Sequence, residues 1–146
     1  GYRDNATGKL GGMGSFMEIR QNFGVAEIGN IWFGRAWQRG PSTTEVLSLM
    51  IHHVMGTLGY RRLEWKCNAF NAPSRSAALR LGFRYEGEFL NHLIVKGRSR
   101  DTAWFAITDE EWPGVRDAHA QWLAPANFEA SGQQKQSLSD LTKALW

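Results

Sequence analysis

The sequence contains almost no cysteine and no long apolar run. Its 146 residues include a single cysteine, Cys67, which excludes an internal disulfide framework and fits a reducing cytoplasm. No apolar stretch approaches the length of a membrane span, and no signal-peptide pattern opens the chain. We therefore expect a cytoplasmic protein with no membrane partner.

The net charge of the chain is also small. The formal net charge is only +3 at pH 7, which allows an anionic small ligand and would equally allow nucleic acid. The basic residues are scattered, however, and the seven tryptophans lack the basic interleaving of a base-stacking platform. A small basic nucleic-acid-binding domain is thus the less favoured alternative. None of the four histidines has a partner at metal-ligand spacing, so we predict no metal site.

The chain alternates apolar strands with amphipathic helices. Its length and its 42% hydrophobic content predict a folded domain with a real core. The predicted elements are a hairpin of residues 2–3 with 10–19, a strand at 25–33, a helix at about 43–58, a strand at 63–67, a helix from 71 or 72 to 82, a hairpin of 83–95 with 98–108, a helix at 109–123 and a short C-terminal helix after a polar linker at 131–136. A strand, a crossover helix and a strand imply one parallel pair within a largely antiparallel sheet, an α/β (α+β) fold with flanking helices.

The turn before the first long helix has the properties of an anion site. A helix N-terminus offers free amides and the positive end of the helix dipole. Arg39 adds a full charge, and the hydroxyls at positions 42–44 add donors, with Thr43 or Thr44 as the predicted cap. An ordinary capped helix start has the same composition, so this stretch alone does not decide between the two interpretations.

Two further places carry polar groups of chemical interest. Glu27 lies in an apolar strand near aromatic residues, where desolvation would raise its pKa and suit it to accept a proton from an ammonium group. The alternative for Glu27 is a solvated glutamate or an ion-pair partner for an arginine. Asn71 and Ser74 open the helix that Gly82 ends, and both are also ordinary capping residues. Cys67 alternates with Trp65, and we expect it to pack in the core.

Taken in order, the strand Glu27–Phe33, the turn 38–45, the long helix and the stretch Asn71–Phe83 resemble the acyl-CoA-binding half of the GCN5-related N-acetyltransferases (GNAT). Within that family the chain looks like the branch that acetylates ribosomal-protein N-termini. The resemblance covers roughly Leu10 to Trp112. The match has three departures. Pro41 stands where the family has a glycine, Thr43 stands where it has a glycine or alanine, and Ala78 stands where many members have a tyrosine general acid.

The resemblance implies an acetyl-CoA-dependent N-acetyltransferase in which an amine attacks the thioester directly in a ternary complex. It implies Glu27 as the base and Ser74 as a group near the thiolate leaving group. The cofactor-binding groups that it implies are the backbone of Ile31, Trp32 and Phe33, together with Gln38, Arg39, Gly40, Ser42, Thr43, Thr44, Asn71 and Ser74. The acceptor stays open between a small-molecule amine and a protein N-terminus. A non-catalytic CoA-binding module, or a truncated relic of such an enzyme, is the alternative.

The resemblance also implies a first strand and two helices before Tyr2, and the sequence begins without them. Because these helices normally form one wall of the acceptor cleft, we expect uncovered apolar surface and a homodimer that covers it. Leu138, Leu141 and Leu145 are candidates for that contact. The competing expectation is that the C-terminal helix folds back onto its own chain. We divide the chain into an acyl-CoA-binding domain at 1–130 and a linker with a C-terminal helix at 131–146.

Overall fold

The structure is a computed structural model that describes all 146 residues. It has six strands, β1 Tyr2–Arg3, β2 Leu10–Arg20, β3 Val25–Phe33, β4 Arg62–Asn68, β5 Arg84–Val95 and β6 Arg98–Thr108. Its α-helices are α1 Pro41–His52, α2 Ala72–Arg80, α3 Trp112–Leu123 and α4 Leu138–Lys143. The strands form one sheet in the order β1-β2-β3-β4-β6-β5. Only β3 and β4 are parallel, which confirms the predicted fold class.

One face of the sheet carries the core. Leu63, Trp65 and Cys67 alternate along β4 and are buried with residues of all four helices in one cluster, so the predicted packing of Cys67 is confirmed. The residues between them, such as Glu64 and Lys66, lie on the opposite face because successive side chains of a strand alternate. That second face is lined by ion pairs. The longest helices have 12 residues, and none of the helices could span a membrane.

The first long helix differs from its prediction at both ends. Its N-cap is Gly40, with no side-chain cap, and the Thr43 hydroxyl donates to the Gly40 carbonyl at 2.9 Å. The prediction that Thr43 or Thr44 caps this helix is therefore wrong, because proline is well suited to the first helical position and moves the start to Pro41. After His52 the chain widens into a π-helical turn, in which Gly56 weakens the α-helical preference.

The C-terminal helix packs on its own chain. The Ser137 hydroxyl accepts the amide of Asp140 at 3.1 Å, which confirms the predicted helix start. Leu138 is fully buried, and Leu141 and Leu145 pack against the same core. Of the two expected arrangements of this helix, the chain has the folded-back one, so these leucines are not free to form an interface with a second copy.

His119 ties three helices together. It is buried on α3, its Nδ1 lies 3.0 Å from the Ser48 hydroxyl, and its Nε2 lies 2.9 Å from the Leu81 carbonyl oxygen. A carbonyl can only accept, so Nε2 carries the proton and Nδ1 accepts from Ser48. Burial lowers the pKa of His119 to about 4, while the hydrogen bond to Leu81 opposes that shift. The imidazole is therefore neutral at physiological pH.

The low pKa of His119 makes stability depend on pH. Protonation favours the unfolded chain, in which a histidine has a pKa of about 6.5, so the stabilisation is present above that pH and is lost as pH falls towards 4. A shift of this size corresponds to about 3 kcal/mol. We expect the free energy of unfolding, measured with urea, to fall more between pH 7.5 and 4.5 for the native chain than for His119→Asn. Equal losses in the two proteins would contradict this account of His119.

Candidate functional site

The site lies where two parallel strands separate. Only residues 25–27 of β3 pair with β4, and their partners are residues 62–64. Beyond Glu27 the edge of β3 that faces β4 has no strand partner. On its other side, the pairing of β3 with β2 shifts register between Met13 and Ser15, and Asn30 has a positive φ of 52°. These features form a β-bulge. The separation leaves backbone amides and carbonyls of both strands available to an extended ligand.

A cavity of about 830 Å³ occupies this cleft and continues past the start of α1. Its volume lies within the range of small-molecule and cofactor sites. The structure brings nine of the predicted cofactor-binding residues to its wall, namely Ile31, Phe33, Gln38, Arg39, Gly40, Thr43, Thr44, Asn71 and Ser74. The wall is completed by residues of α1, β4 and α2 and by residues at and beyond the end of α3.

Two of the predicted residues lie elsewhere. The Trp32 side chain is 62% exposed, because it alternates with Ile31 and Phe33 and points away from the cavity. Ser42 lines a smaller neighbouring cavity with Tyr2 and Glu45. The side chain of Ser42 therefore does not reach the main cavity. The prediction for Trp32 concerns its backbone and does not depend on the direction of its indole ring.

The N-terminus of α1 forms one end of the cavity. The amides of Ser42 and Thr43 have no intramolecular hydrogen bond, as is usual in a first helical turn. Arg39, in a left-handed conformation with φ 63°, lines the cavity beside them and makes no ion pair. Gln38 donates to the Phe33 carbonyl at 2.8 Å, which ties this turn to the end of β3. Free amides, the helix dipole and a free guanidinium together favour an anion here.

Arg80 also lies in the cavity wall, although the sequence had not indicated it. It ends α2, lines the cavity and donates to the Thr44 hydroxyl at 3.0 Å. Its guanidinium carbon lies 4.9 Å from the ring centroid of Trp122, and burial lowers its pKa. Ser74, Ala77 and Arg80 recur every third residue, which is a helical face. That spacing could have indicated that Arg80 shares the cavity side of α2 with Ser74.

The N-terminus of α2 holds Ser74 in a defined position. The Asn71 side chain accepts the amide of Ser74 at 3.2 Å, so Asn71 has the capping role that the sequence predicted. The Ser74 hydroxyl accepts the indole N–H of Trp65 at 3.0 Å. A hydroxyl that accepts one bond keeps its own proton free to donate. Ala78 is fully buried in the core and offers no acid.

Glu27 lies on the opposite face of the sheet from the helices, at the last residue pair before β3 and β4 separate. It is 5% exposed and forms an ion pair with Lys66 at 2.7 Å, so its partner is a lysine rather than an arginine. Burial raises the pKa of Glu27, and the hydrogen bond and charge of Lys66 oppose that rise. The Glu27 carboxylate lies beside Gly29, in the part of β3 that has separated from β4: its Oε1 would be 3.6 Å from a Cβ atom added at Gly29.

Comparison with known proteins connects this geometry with acetyltransferases. The family model of the acetyltransferase (GNAT) domain matches residues 2–84. A GCN5-related N-acetyltransferase from Brucella melitensis has 48% identity and a TM-score of 0.92, covering 97% of this chain and 64% of the Brucella chain. An uncharacterized N-acetyltransferase, p20, of Bacillus licheniformis is 30% identical over 108 residues, which are 74% of this chain and 60% of p20.

A third similarity concerns the branch of the family. A Vibrio cholerae protein provisionally named a ribosomal-protein-serine acetyltransferase is 29% identical, with a TM-score of 0.63, over 73% of this chain and 60% of its own. The present chain therefore spans less than two thirds of the length of each of these relatives.

Proposed function

The chain belongs to the GNAT acetyltransferase family, and on that premise we propose that it transfers the acetyl group of acetyl-CoA to a primary amine. The observation that carries this proposal is the cavity that joins a free helix N-terminus to the cleft between β3 and β4. One of its walls presents anion-binding groups, and another presents unpaired strand backbone and the Ser74 hydroxyl. A long ligand with phosphates at one end and amides at the other matches that sequence of groups.

The residues present fit the parts of acetyl-CoA. The amides of Ser42 and Thr43, with Arg39, would hold the pyrophosphate. The unpaired edge of β3 from Ile28 to Phe33 would bond the amide groups of the pantetheine arm, as a strand bonds an added strand. When bound, acetyl-CoA supplies a thioester carbonyl as the electrophile. Pro41 provides no amide, so this cradle has fewer backbone donors than one with a glycine there.

Glu27 and Ser74 have complementary roles in the proposed reaction. Glu27 accepts the proton of the acceptor ammonium, directly or through water, which leaves a neutral amine to attack the carbonyl carbon. Lys66 holds the Glu27 carboxylate in place and opposes its protonation at neutral pH. As the carbon–sulfur bond breaks, the attacking nitrogen gives up a second proton, which neutralises the departing thiolate to the thiol of CoA. The Ser74 hydroxyl donates a hydrogen bond to that sulfur, because it accepts the indole N–H of Trp65 and its own proton stays free.

The partners and the place of action are part of this proposal. The acceptor is a small-molecule amine or a protein N-terminus, and the similarity to the Vibrio protein favours the second. We also propose a cytoplasmic protein that forms a homodimer, in which α4 is not the contact because its leucines are in the core. Light scattering at micromolar concentration tests the dimer, and a monomer would refute it.

A two-step experiment tests the proposed function. Acetyl-CoA at a hundred times its dissociation constant should stabilise the chain by about 2.7 kcal/mol, which a thermal-shift assay measures. Thiol release is then followed with a panel of acceptors that includes small amines and peptides with free N-termini. The absence of any stabilisation would contradict cofactor binding. Stabilisation without thiol release from any acceptor would instead indicate a non-catalytic CoA-binding module.

A further inference from the structure

Arg80 lies in the wall of the cavity and has no carboxylate partner. Most of the arginines on the sheet and helices form ion pairs with carboxylates, whereas Arg80 has none within 4 Å although it is half-buried. A buried charge is costly unless an opposite charge compensates it. Arg80 is therefore a cation whose partner is missing from the protein itself.

The guanidinium of Arg80 is fixed by two contacts that leave most of its N–H donors free. Its one side-chain hydrogen bond goes to the Thr44 hydroxyl at 3.0 Å, and its carbon lies 4.9 Å from the Trp122 ring centroid. The other N–H groups have no partner in the protein. A guanidinium that is fixed on a ring and keeps several donors free is suited to bind a phosphate with two parallel hydrogen bonds.

The chain beyond α3 builds the wall behind Arg80. The indole N–H of Trp122 donates to the Gln134 side chain at 2.8 Å, and Phe128 contacts Trp122 edge to face at 5.2 Å. Phe128 and Gln134 are also bridged through their backbones, and both line the cavity with Gly132. We call Trp122, Phe128, Gly132 and Gln134 the C-terminal wall. Trp122 is almost fully buried, so Phe128 gives this end of the cavity its apolar surface beside the cation.

The direction of α2 indicates which end of the ligand would lie against the C-terminal wall. Ser74 lies at the start of α2 beside the strand cleft, and Arg80 lies about 9 Å further along the helix axis, at 1.5 Å per residue. The reacting thioester belongs near Ser74 in the proposed function, so the nucleotide end belongs near Arg80. CoA carries a pyrophosphate and a separate 3′-phosphate. Arg39 and the amides of Ser42 and Thr43 already provide for the pyrophosphate.

We propose that Arg80, held between Thr44 and the C-terminal wall, binds the 3′-phosphate of CoA and makes the chain select CoA over 3′-dephospho-CoA. This inference rests on the proposed function, since it requires acetyl-CoA in the cavity. The adenine would lie against Phe128. A segment that follows the last strand of the sheet thereby contributes to cofactor selection.

Titration calorimetry with CoA and 3′-dephospho-CoA tests the proposal by binding alone. We expect the native chain to bind CoA roughly 10–100-fold more tightly, as expected for hydrogen bonds to a charged group. In Arg80→Gln this preference should nearly vanish, with CoA binding as weakly as the dephospho form binds to the native chain. Arg80→Lys should keep part of the preference. Arg75→Gln, on the same helix but ion-paired to Glu88, should keep all of it.

The outcomes separate this inference from the proposed function. Equal binding of the two ligands by the native chain would overturn the role of Arg80 and leave CoA binding intact. Equal weakening of both ligands in Arg80→Gln would overturn it too, and would assign Arg80 to the pyrophosphate. If the native chain bound neither ligand, the proposed function would be overturned and the inference with it.

Discussion

Replacing Glu27 with glutamine should lower turnover about 10²–10⁴-fold and leave the dissociation constant of CoA nearly unchanged. Glutamine has a similar shape but cannot accept the proton of the acceptor ammonium. Glu27 does not line the cofactor cavity, so the loss should fall on the chemical step. Steady-state thiol release with the best acceptor measures turnover, and calorimetry measures CoA affinity.

Glu64 provides a matched control for Glu27. It is equally buried, pairs with Glu27 across the parallel strands and is held by Arg20 and Arg62 at 2.8 and 2.9 Å. Glu64→Gln should keep the turnover of the folded protein within a few-fold of the native value, although it removes an ion-paired carboxylate as well. A Glu27→Gln variant with native turnover at every pH would rule out the base and leave Glu27 a structural residue.

The pH profile gives a second readout for Glu27. Burial raises the pKa of Glu27, so turnover should fall on acidification at a pH above the ordinary range of a glutamate. Lys66 lowers that pKa through its hydrogen bond and its charge. Lys66→Met should therefore move the acidic limb to higher pH, whereas a purely structural role for Lys66 would reduce turnover without moving the limb.

Reversing the charge of Arg39 should weaken CoA binding about 100-fold. Hydrogen bonds to charged groups contribute about 1.5–3 kcal/mol, and Arg39→Glu replaces this attraction with repulsion at the end of the cavity where the free amides of α1 lie. The loss should shrink as salt is added, because part of it is electrostatic. Calorimetry at two salt concentrations measures both effects.

Arg35 is the control for Arg39. It is exposed and precedes the same turn, but it does not line the cavity. Arg35→Glu changes the net charge by the same amount, so it should cost little affinity. If Arg39→Glu bound CoA as the native chain does, the pyrophosphate would have to lie elsewhere in the cavity.

Much of the fold was predictable because its determinants are local. The strand at 25–33 has the predicted bounds, since an apolar run between turns marks it. Asn71 caps α2 and Gly82, with φ 87°, ends it, because capping and left-handed turns depend on a few neighbouring residues. The resemblance to the family likewise led to nine residues that do share one cavity.

The parts that were missed depend on contacts between distant segments. Arg80 meets Thr44 and Trp122 only because α1, α2 and the end of α3 converge. The pairing of Glu27 with Lys66 requires the parallel register of β3 and β4. Side-chain direction separated Trp32 and Ser42 from the cavity, which a motif by itself does not specify.

We propose that the cavity between α1 and the β3–β4 cleft binds acetyl-CoA. It is tested most directly by recording amide ¹H–¹⁵N spectra of the isotope-labelled chain as CoA is added. We expect the largest shifts on the free amides of Ser42 and Thr43 and on the unpaired edge of β3 from Ile28 to Phe33, and we expect Arg39→Glu to reduce them. Saturable binding with shifts confined to other segments, or no shifts at millimolar CoA, would contradict the claim.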